Sequence, residues 1–132
     1  MKLTKKSDYA LRAAYYLAKQ PEGKIASIGE IAEKQAVPRE FLAKILKELT
    51  AAKILRSFHG IKGGYSLARS PSEISFLDII QAVEGPIMLN QCCQENMGCC
   101  EMSATCEMKV FWRKQQDVYV GGLARETLDR YR

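Results

Sequence analysis

Apolar residues recur at helical spacing in five segments of the chain, which predicts a mainly α-helical protein. The segments are residues 7–19, 28–35, 38–53, 76–84 and 107–119. Two short apolar runs, residues 54–57 and 64–68, flank the glycine-rich sequence 58–63 and predict two antiparallel strands joined by a turn. The pattern therefore predicts helices with one small β-hairpin, and the residues from 123 onward can continue the last helix.

Polar residues predict where three of these helices begin. Ser7 is the expected N-cap of the first helix, and Asp8 would lie at its positive end. Ser27 and Ser75 each precede an acidic residue by three positions, which is the pattern of a capping box. These serines are expected to begin the second and fourth helices.

The second and third helices are predicted to form a helix-turn-helix unit, because only Ala36-Val37-Pro38 separates them. The third helix would bury one apolar face, made of Phe41, Leu42, Ile45, Leu46 and Leu49. The hairpin that follows is typical of a wing, since its glycines allow a close approach to a phosphate backbone. The expected fold is a winged helix-turn-helix domain with a long C-terminal dimerisation helix.

Charge is distributed unevenly along the chain. Residues 1–69 contain 14 Lys and Arg and 6 Asp and Glu, whereas residues 70–132 contain 6 and 9. The net charge of +5 therefore conceals a strongly basic first half. Such a half indicates a polyanionic partner, with nucleic acid as the leading candidate, and a solvated lysine-rich surface is the alternative.

Side chains on the third helix and the wing are the candidate DNA contacts. Arg39 and Lys44 could reach guanine edges, and Glu40 could accept a hydrogen bond from cytosine. Lys47 and Lys62 suit phosphate contacts, and His59 could flank a minor groove. For each residue the alternative is an ordinary solvated surface position. The expected partner is double-stranded DNA with a palindromic operator.

All five cysteines lie within residues 92–106, on a segment that is acidic because no Lys or Arg occurs between Arg69 and Lys109. Cysteines used as small core residues would not cluster in this way. Sulfur ligands favour iron–sulfur clusters or zinc. We expect an iron–sulfur centre, with zinc binding, direct thiol switching and a structural role as the alternatives. No cysteine pair has the two-residue spacing usual for zinc.

Several function classes are not expected. No apolar run is long enough to span a membrane, and the N-terminus lacks the features of a signal peptide. We therefore expect a cytoplasmic protein without a membrane partner, in a compartment where thiols stay reduced. A single histidine and the lack of a nucleotide-binding glycine loop leave no catalytic constellation, so the chain is not expected to be an enzyme. An iron–sulfur electron carrier or scaffold is a weaker alternative.

The last predicted helix would have an apolar face with no partner inside a complete winged domain. Met108, Phe111, Trp112, Gln115, Val118 and Tyr119 share that face. A second copy of the chain is the expected partner, and packing back on the same domain is the alternative. The predicted organisation is a DNA-binding domain at 1–86, a cluster-binding loop at 87–107, and a dimerisation helix with a tail at 108–132.

Five features together resemble the IscR/NsrR-type regulators of the Rrf-two family. They are Lys-Leu-Thr at 2–4, the helix-turn-helix at 27–53, the wing ending in the sequence 62–69 with its Gly-Gly-Tyr, the sequence 79–86 with its Ala-Val-Glu-Gly-Pro, and the cysteine segment. The resemblance covers nearly the whole chain. It implies a homodimeric transcription factor, acting as a repressor. In cluster-bearing members of the family, gain, loss or modification of an iron–sulfur cluster in response to redox, nitric oxide or iron and sulfur status changes DNA affinity.

The same resemblance implies ligands for the cluster. The family's spacing matches Cys92, Cys100 and Cys106, while Cys93 and Cys99 stay open as alternates because the cysteines are doubled. Lys109 stands where the [2Fe–2S] members have histidine, and Asp8 matches the aspartate that nitric-oxide-sensing [4Fe–4S] members supply from the other subunit. The resemblance therefore favours [4Fe–4S] over [2Fe–2S], with Asp8 as fourth ligand. The alternative for Asp8 is a charge at a helix end.

Overall fold

The computed structural model describes residues 3–93, 100–102 and 104–131. Its helices and strands follow the order α1, α2, α3, β1, β2, α4, α5. Their bounds are Lys5–Ala18, Ile28–Gln35, Arg39–Ala51, Leu55–Phe58, Gly64–Leu67, Phe76–Glu84 and Met108–Arg125. Short 3₁₀ turns occur at Pro71–Glu73, Gln91–Cys93 and Leu128–Tyr131. The expected mainly α fold with a two-stranded wing is confirmed.

One hydrophobic core joins α1, α2, α3, β1 and α4. Apolar side chains at helical spacing turn inward from each helix and are almost completely shielded from solvent. The largest of them are Ile31, Leu42, Ile45, Leu46, Leu49, Ile79 and Ile80. Phe41 does not join them: it is 41% exposed and packs edge-on against Tyr9, with ring centroids 5.6 Å apart. The prediction that Phe41 is buried was wrong, because its position on α3 faces the margin of α1.

The caps of the helices agree with the predictions at two of three sites. Ser75 and Asp78 form the complete capping box of α4, and Ser27 accepts a hydrogen bond from the backbone N–H of Glu30 at the start of α2. The first helix differs, because Thr4 is its N-cap and Ser7 lies inside the helix, fully buried. Thr4 and Ser7 are both suitable caps by residue type. Because Ser7 is buried against α4, Thr4 is the residue that caps α1.

The wing is held at both strands. Leu55 pairs with Leu67 and Phe58 with Gly64 in an antiparallel ladder, and Ala26 bridges to Tyr65 on the outer side of β2. At the tip, Gly63 donates to the carbonyl of Gly60 at 3.0 Å, and Gly60 has a φ of +101° that favours glycine. A side chain at Gly64 would collide with the carbonyl oxygen of Ala26. The wing is therefore a tightly closed turn on a fixed base.

The C-terminal tail does not continue the last helix. After Arg125 the backbone becomes extended, and Phe76 donates to the carbonyl of Glu126 at 2.8 Å. Leu128 then enters the core with no exposed surface, and the Tyr15 hydroxyl donates to the Tyr131 carbonyl. The helix continues through Leu123, as the pattern allowed, but it does not reach Leu128, because burying Leu128 beside Ile74 requires the chain to turn back. Gly121 and Gly122 remain inside α5.

Candidate functional site

The candidate DNA-reading surface consists of one face of α3 and the tip of the wing. Six side chains predicted to contact DNA are all exposed, and no hydrogen bond or ion pair joins any of them to another described residue: Arg39, Glu40, Lys44, Lys47, His59 and Lys62. Five of the six can carry positive charge. Their polar ends are therefore available to phosphate oxygens and base edges without the loss of an internal contact.

The wing also presents a residue that the sequence analysis passed over. Ile61 is 106% exposed at the tip, between Gly60 and Lys62. A large aliphatic side chain in that position has no packing partner among the described residues. Apolar residues are among those that proteins insert into a minor groove. An isoleucine flanked by glycine and lysine in a turn, where polar residues are usual, was the available signal.

The cysteine segment lies between α4 and α5 and is fastened to α5 by a glutamine. The Gln116 side chain accepts from the N–H of Leu89 at 2.9 Å and donates to the carbonyl of Ile87. Downstream, the Cys93 thiol points at the carbonyl of Trp112, with sulfur and oxygen 3.7 Å apart. Gln116 was not singled out from sequence, because a polar residue on a helix carries no sign of which loop it will hold.

Four cysteines are described, and all four are free, half-buried thiols: Cys92, Cys93, Cys100 and Cys106. Burial raises the pKa of Cys92 first, and the neighbouring thiols of Cys93 and then Cys106 raise that pKa further. Among the thiols, the adjacent Cys93 acts most on Cys92, and the Cys93 sulfur itself lies 3.7 Å from the Trp112 carbonyl oxygen on α5. Cys99 lies outside the described residues.

The described cysteines suit an iron–sulfur cluster in their chemistry, because such clusters are held by cysteine sulfur. The structure brings together fewer of these side chains than the predicted ligand set contains. Among residues 3–93, 100–102 and 104–131, no three Cys, His, Asp or Glu side chains lie close enough together to hold a metal ion. Cys92, Cys100 and Cys106, all of which are described, therefore do not form one metal-holding group.

Asp8 lies in the first turn of α1, where its carboxylate pairs with Arg12 at 2.8 Å. The Asp8 side chain is 48% exposed, so it remains open to solvent on one side. Arg12 also reaches the carbonyl of Gln35 at 3.4 Å, at the end of α2. The carboxylate thus lies on the same helix that packs against the helix-turn-helix unit.

Helix α5 has two different faces. Trp112, Gln115 and Tyr119 are half-buried against the chain's own domain, whereas Phe111 and Val118 are 45% and 61% exposed. Across Met108–Arg125, all of which the structure describes, no side chain is fully buried. Some of the six residues predicted to share one apolar face therefore lie against the domain and others face solvent. The reason is that only one side of α5 packs on the domain.

Comparison with known proteins agrees with this architecture. A model of the Rrf2 family, described as an iron-dependent transcriptional regulator, matches residues 3–130. The chain belongs to the Rrf2 family. The NsrR regulator of Shouchella clausii is 28% identical over 128 residues, which is 97% of this chain and 86% of that protein. Slr0846 of Synechocystis sp., a candidate HTH-type regulator, is 44% identical over 84 residues, or 64% of this chain. The first curated relatives are matched over little more than half their own length, 57% for slr0846.

Two solved structures share the fold over nearly the entire chain. CymR, the global cysteine regulator of B. subtilis, superposes with a TM-score of 0.77 at 27% identity, covering 98% of this chain and 94% of CymR. IscR of T. potens gives a TM-score of 0.77 at 27% identity, covering 98% of this chain and 84% of IscR. CymR, NsrR and slr0846 bear the names of regulators, in agreement with the expectation that the chain is not an enzyme. Within the described part of the chain, no helix has the length and apolar character needed to cross a membrane.

Proposed function

We propose that the protein is a DNA-binding transcriptional regulator, acting as a repressor in the cytoplasm, whose affinity for DNA is controlled at the cysteine segment. The observation that carries the DNA-binding part is the surface of exposed, unpaired side chains on α3 and the wing. Membership of the Rrf2 family supports the same conclusion.

In the proposed complex, α3 enters the major groove and the wing lies against the adjacent minor groove. Arg39 and Lys44 contact guanine edges, and Glu40 accepts a hydrogen bond from cytosine. Lys47 and Lys62 neutralise phosphates, and His59 flanks the minor groove. Because these phosphate contacts release counterions, binding should weaken steeply with salt.

We further propose that two chains pair through the outer face of α5 and bind the two halves of a palindromic operator. Phe111 and Val118 supply apolar surface on that face, and a Cβ at Gly122 would meet no described atom within 4 Å, which leaves room for a second helix. A twofold arrangement presents two copies of α3 to two half-sites.

The cysteine segment is proposed to hold an iron–sulfur cluster through Cys92, Cys100 and Cys106, with Asp8 of the second chain as fourth ligand. A [4Fe–4S] cluster is favoured over [2Fe–2S], because Lys109 replaces the histidine found in [2Fe–2S] relatives. When bound, the cluster would supply a centre that reacts with oxygen or nitric oxide or follows iron and sulfur status. The Cys93 sulfur points at the Trp112 carbonyl, which supports Cys92 as the ligand from that adjacent pair.

Direct sensing by a thiol is the second candidate function, favoured by the similarity to the cysteine regulator CymR. A reactive cysteine needs a lowered pKa, usually from a nearby cation or a helix N-terminus. Burial and neighbouring thiols instead raise the pKa of Cys92. Sulfur ligation of a metal does not depend on a low intrinsic pKa, since the metal itself displaces the proton. The direction of the Cys92 pKa therefore does not mark this cysteine as a reactive thiol, and zinc is the alternative to iron at this segment.

Anaerobic reconstitution with iron and sulfide tests the proposal. The full chain should take up iron and sulfide in equal amounts, and replacement of Cys92, Cys100 and Cys106 by Ser should abolish uptake. Cys93→Ser is the matched control and should retain it. Gel shifts with an operator should then show at least a tenfold difference between loaded and metal-free protein.

Uptake of zinc but not iron would leave a zinc regulator, and no uptake with a diamide-sensitive gel shift would leave a thiol switch. Failure of any form to bind DNA would overturn the regulator proposal.

A further inference from the structure

A carboxylate at the end of α4 holds the first turn of α1. Glu84 is the last residue of α4, and its Oε1 atom accepts a hydrogen bond from the Ser7 hydroxyl at 3.0 Å. The Thr4 hydroxyl donates to the same oxygen. Ser7 has no exposed surface, and its backbone N–H donates to Thr4 Oγ1 at 3.2 Å. The N-cap of α1 and its first buried side chain therefore converge on one oxygen of another helix.

Glu84 is unfavourably placed for its own helix. A carboxylate at a helix C-terminus faces the negative end of the dipole, and α4 has no basic residue in its last turn. The N-terminus of α1 is the positive end of a second helix, so the same carboxylate is stabilised there. The contact between helices thus explains an acidic residue that local rules disfavour. Departures of this kind tend to occur at functional positions.

The contact of Glu84 with Thr4 and Ser7 lies between the two candidate sites, the cysteine segment and the DNA-reading surface. Gly85, with a φ of +79°, ends α4, and the connector to the cysteines begins there. On the other side, Ser7 directly precedes Asp8. Lys6, also in the first turn of α1, pairs with Glu48 of α3 at 2.9 Å, with side chains 25% and 30% exposed. One turn of α1 therefore contacts the end of α4 and the DNA-reading helix together.

We propose that Glu84 is a positioning residue that couples the cysteine connector to the DNA-reading helix by holding the first turn of α1. This inference rests on the proposed function, because the coupling has a regulatory role only if the cysteine segment controls DNA binding. A displacement of the connector moves the end of α4, and the shared oxygen transmits that displacement to Thr4 and Ser7. Lys6 then carries it to Glu48 on α3. Asp8 is oriented by the same contact, because it follows Ser7 in the same turn.

Hydrogen exchange of backbone amides in the metal-free full chain is the deciding measurement, and it requires neither iron nor DNA. Glu84→Ala should accelerate exchange at residues 7–11 by about tenfold, since the turn loses its anchor. Amides following Glu48 on α3 should accelerate by about threefold through the Lys6 pair. Glu84→Gln keeps an acceptor oxygen and should restore most of the protection.

Asp78→Ala is the matched control, because it removes a carboxylate from the opposite end of the same helix. It should accelerate exchange at the start of α4 and leave residues 7–11 and α3 unchanged. Ser7→Ala provides a milder second variant if Glu84→Ala does not fold. Its effect should be about threefold alone and should vanish when Glu84 is already alanine, since both remove one interaction.

The proposal is overturned if Glu84→Ala affects residues 7–11 no more than Asp78→Ala does, or if exchange rises uniformly along the chain. It is also overturned if α3 does not respond. A second measurement compares exchange before and after anaerobic loading with iron and sulfide. Loading should alter α3 in the wild type and should alter it less than a third as much in Glu84→Ala. A wild type that takes up no iron would refute the cluster, while the metal-free comparison would still decide the role of Glu84.

Discussion

The N-terminal and C-terminal regions of the molecule differ in how fully their side chains are packed within the chain. From α1 to α4, apolar residues interlock in one core, and side-chain caps begin α1, α2 and α4. From the cysteine segment through α5, the four described cysteines form no disulfide, and Phe111 and Val118 face solvent. The first region is stable through contacts within the chain. The second presents free thiols and exposed apolar side chains, and it is where we propose that the cluster and the second chain bind.

The largest expected effect is on the free energy of unfolding, which should separate the two regions. Leu46 has no exposed surface, so Leu46→Ala should lower the free energy of unfolding by about 2–5 kcal/mol. Val118→Ala, at a position 61% exposed, should change it by less than about 0.5 kcal/mol in dilute solution. Urea titration of both variants measures the difference. Equal losses would mean that α5 belongs to the core after all.

Removal of charge from the reading surface should give the next largest effect. Lys44→Ala combined with Lys62→Ala should weaken operator binding by at least tenfold, because two cationic contacts are lost. The slope of log affinity against log salt should fall by about 0.9 for each lost phosphate contact. Lys19→Ala combined with Arg130→Ala removes the same charge elsewhere. An equal loss in that control would show that net charge, and not this surface, drives binding.

The outer face of α5 offers a test of pairing. Val118→Asp should weaken self-association by about tenfold or more, because a carboxylate would be buried without a partner. Sedimentation equilibrium over a range of concentrations measures it. The cysteine segment should keep its thiol accessibility in the same variant. A wild type that remains monomeric at all concentrations would contradict the proposed pairing.

The smallest expected effect concerns the helix-turn-helix turn. Ala36 ends α2 with a φ of +52°, a left-handed conformation that alanine adopts at a cost. Ala36→Gly should therefore stabilise the chain by about 1 kcal/mol, since glycine removes the steric penalty at such a cap. Thermal unfolding measures the gain. Destabilisation would indicate that the flexibility of the unfolded chain outweighs the relief of strain.

Local patterns were sufficient for much of the first region. Helical spacing placed α4 at Phe76–Glu84, and Ser75 and Asp78 form the capping box expected from their spacing. The glycine-rich turn predicted the wing with its two strands. The six proposed DNA contacts were predicted as exposed side chains, and each is exposed. These features depend on residues close together in the chain, so the sequence carries them directly.

Whether a feature follows from the sequence alone or from the tertiary structure depends on how far apart in the chain the interacting residues are. By itself the sequence determined the helices, the wing, the basic surface and the clustering of thiols, because backbone preference and hydrophobic period act over a few residues. Only the tertiary structure decided that Thr4 caps α1, that Leu128 turns back into the core, and that Gln116 and Glu84 hold distant segments. Those outcomes depend on which surfaces meet when residues far apart in the chain are packed together, and no local pattern encodes that meeting.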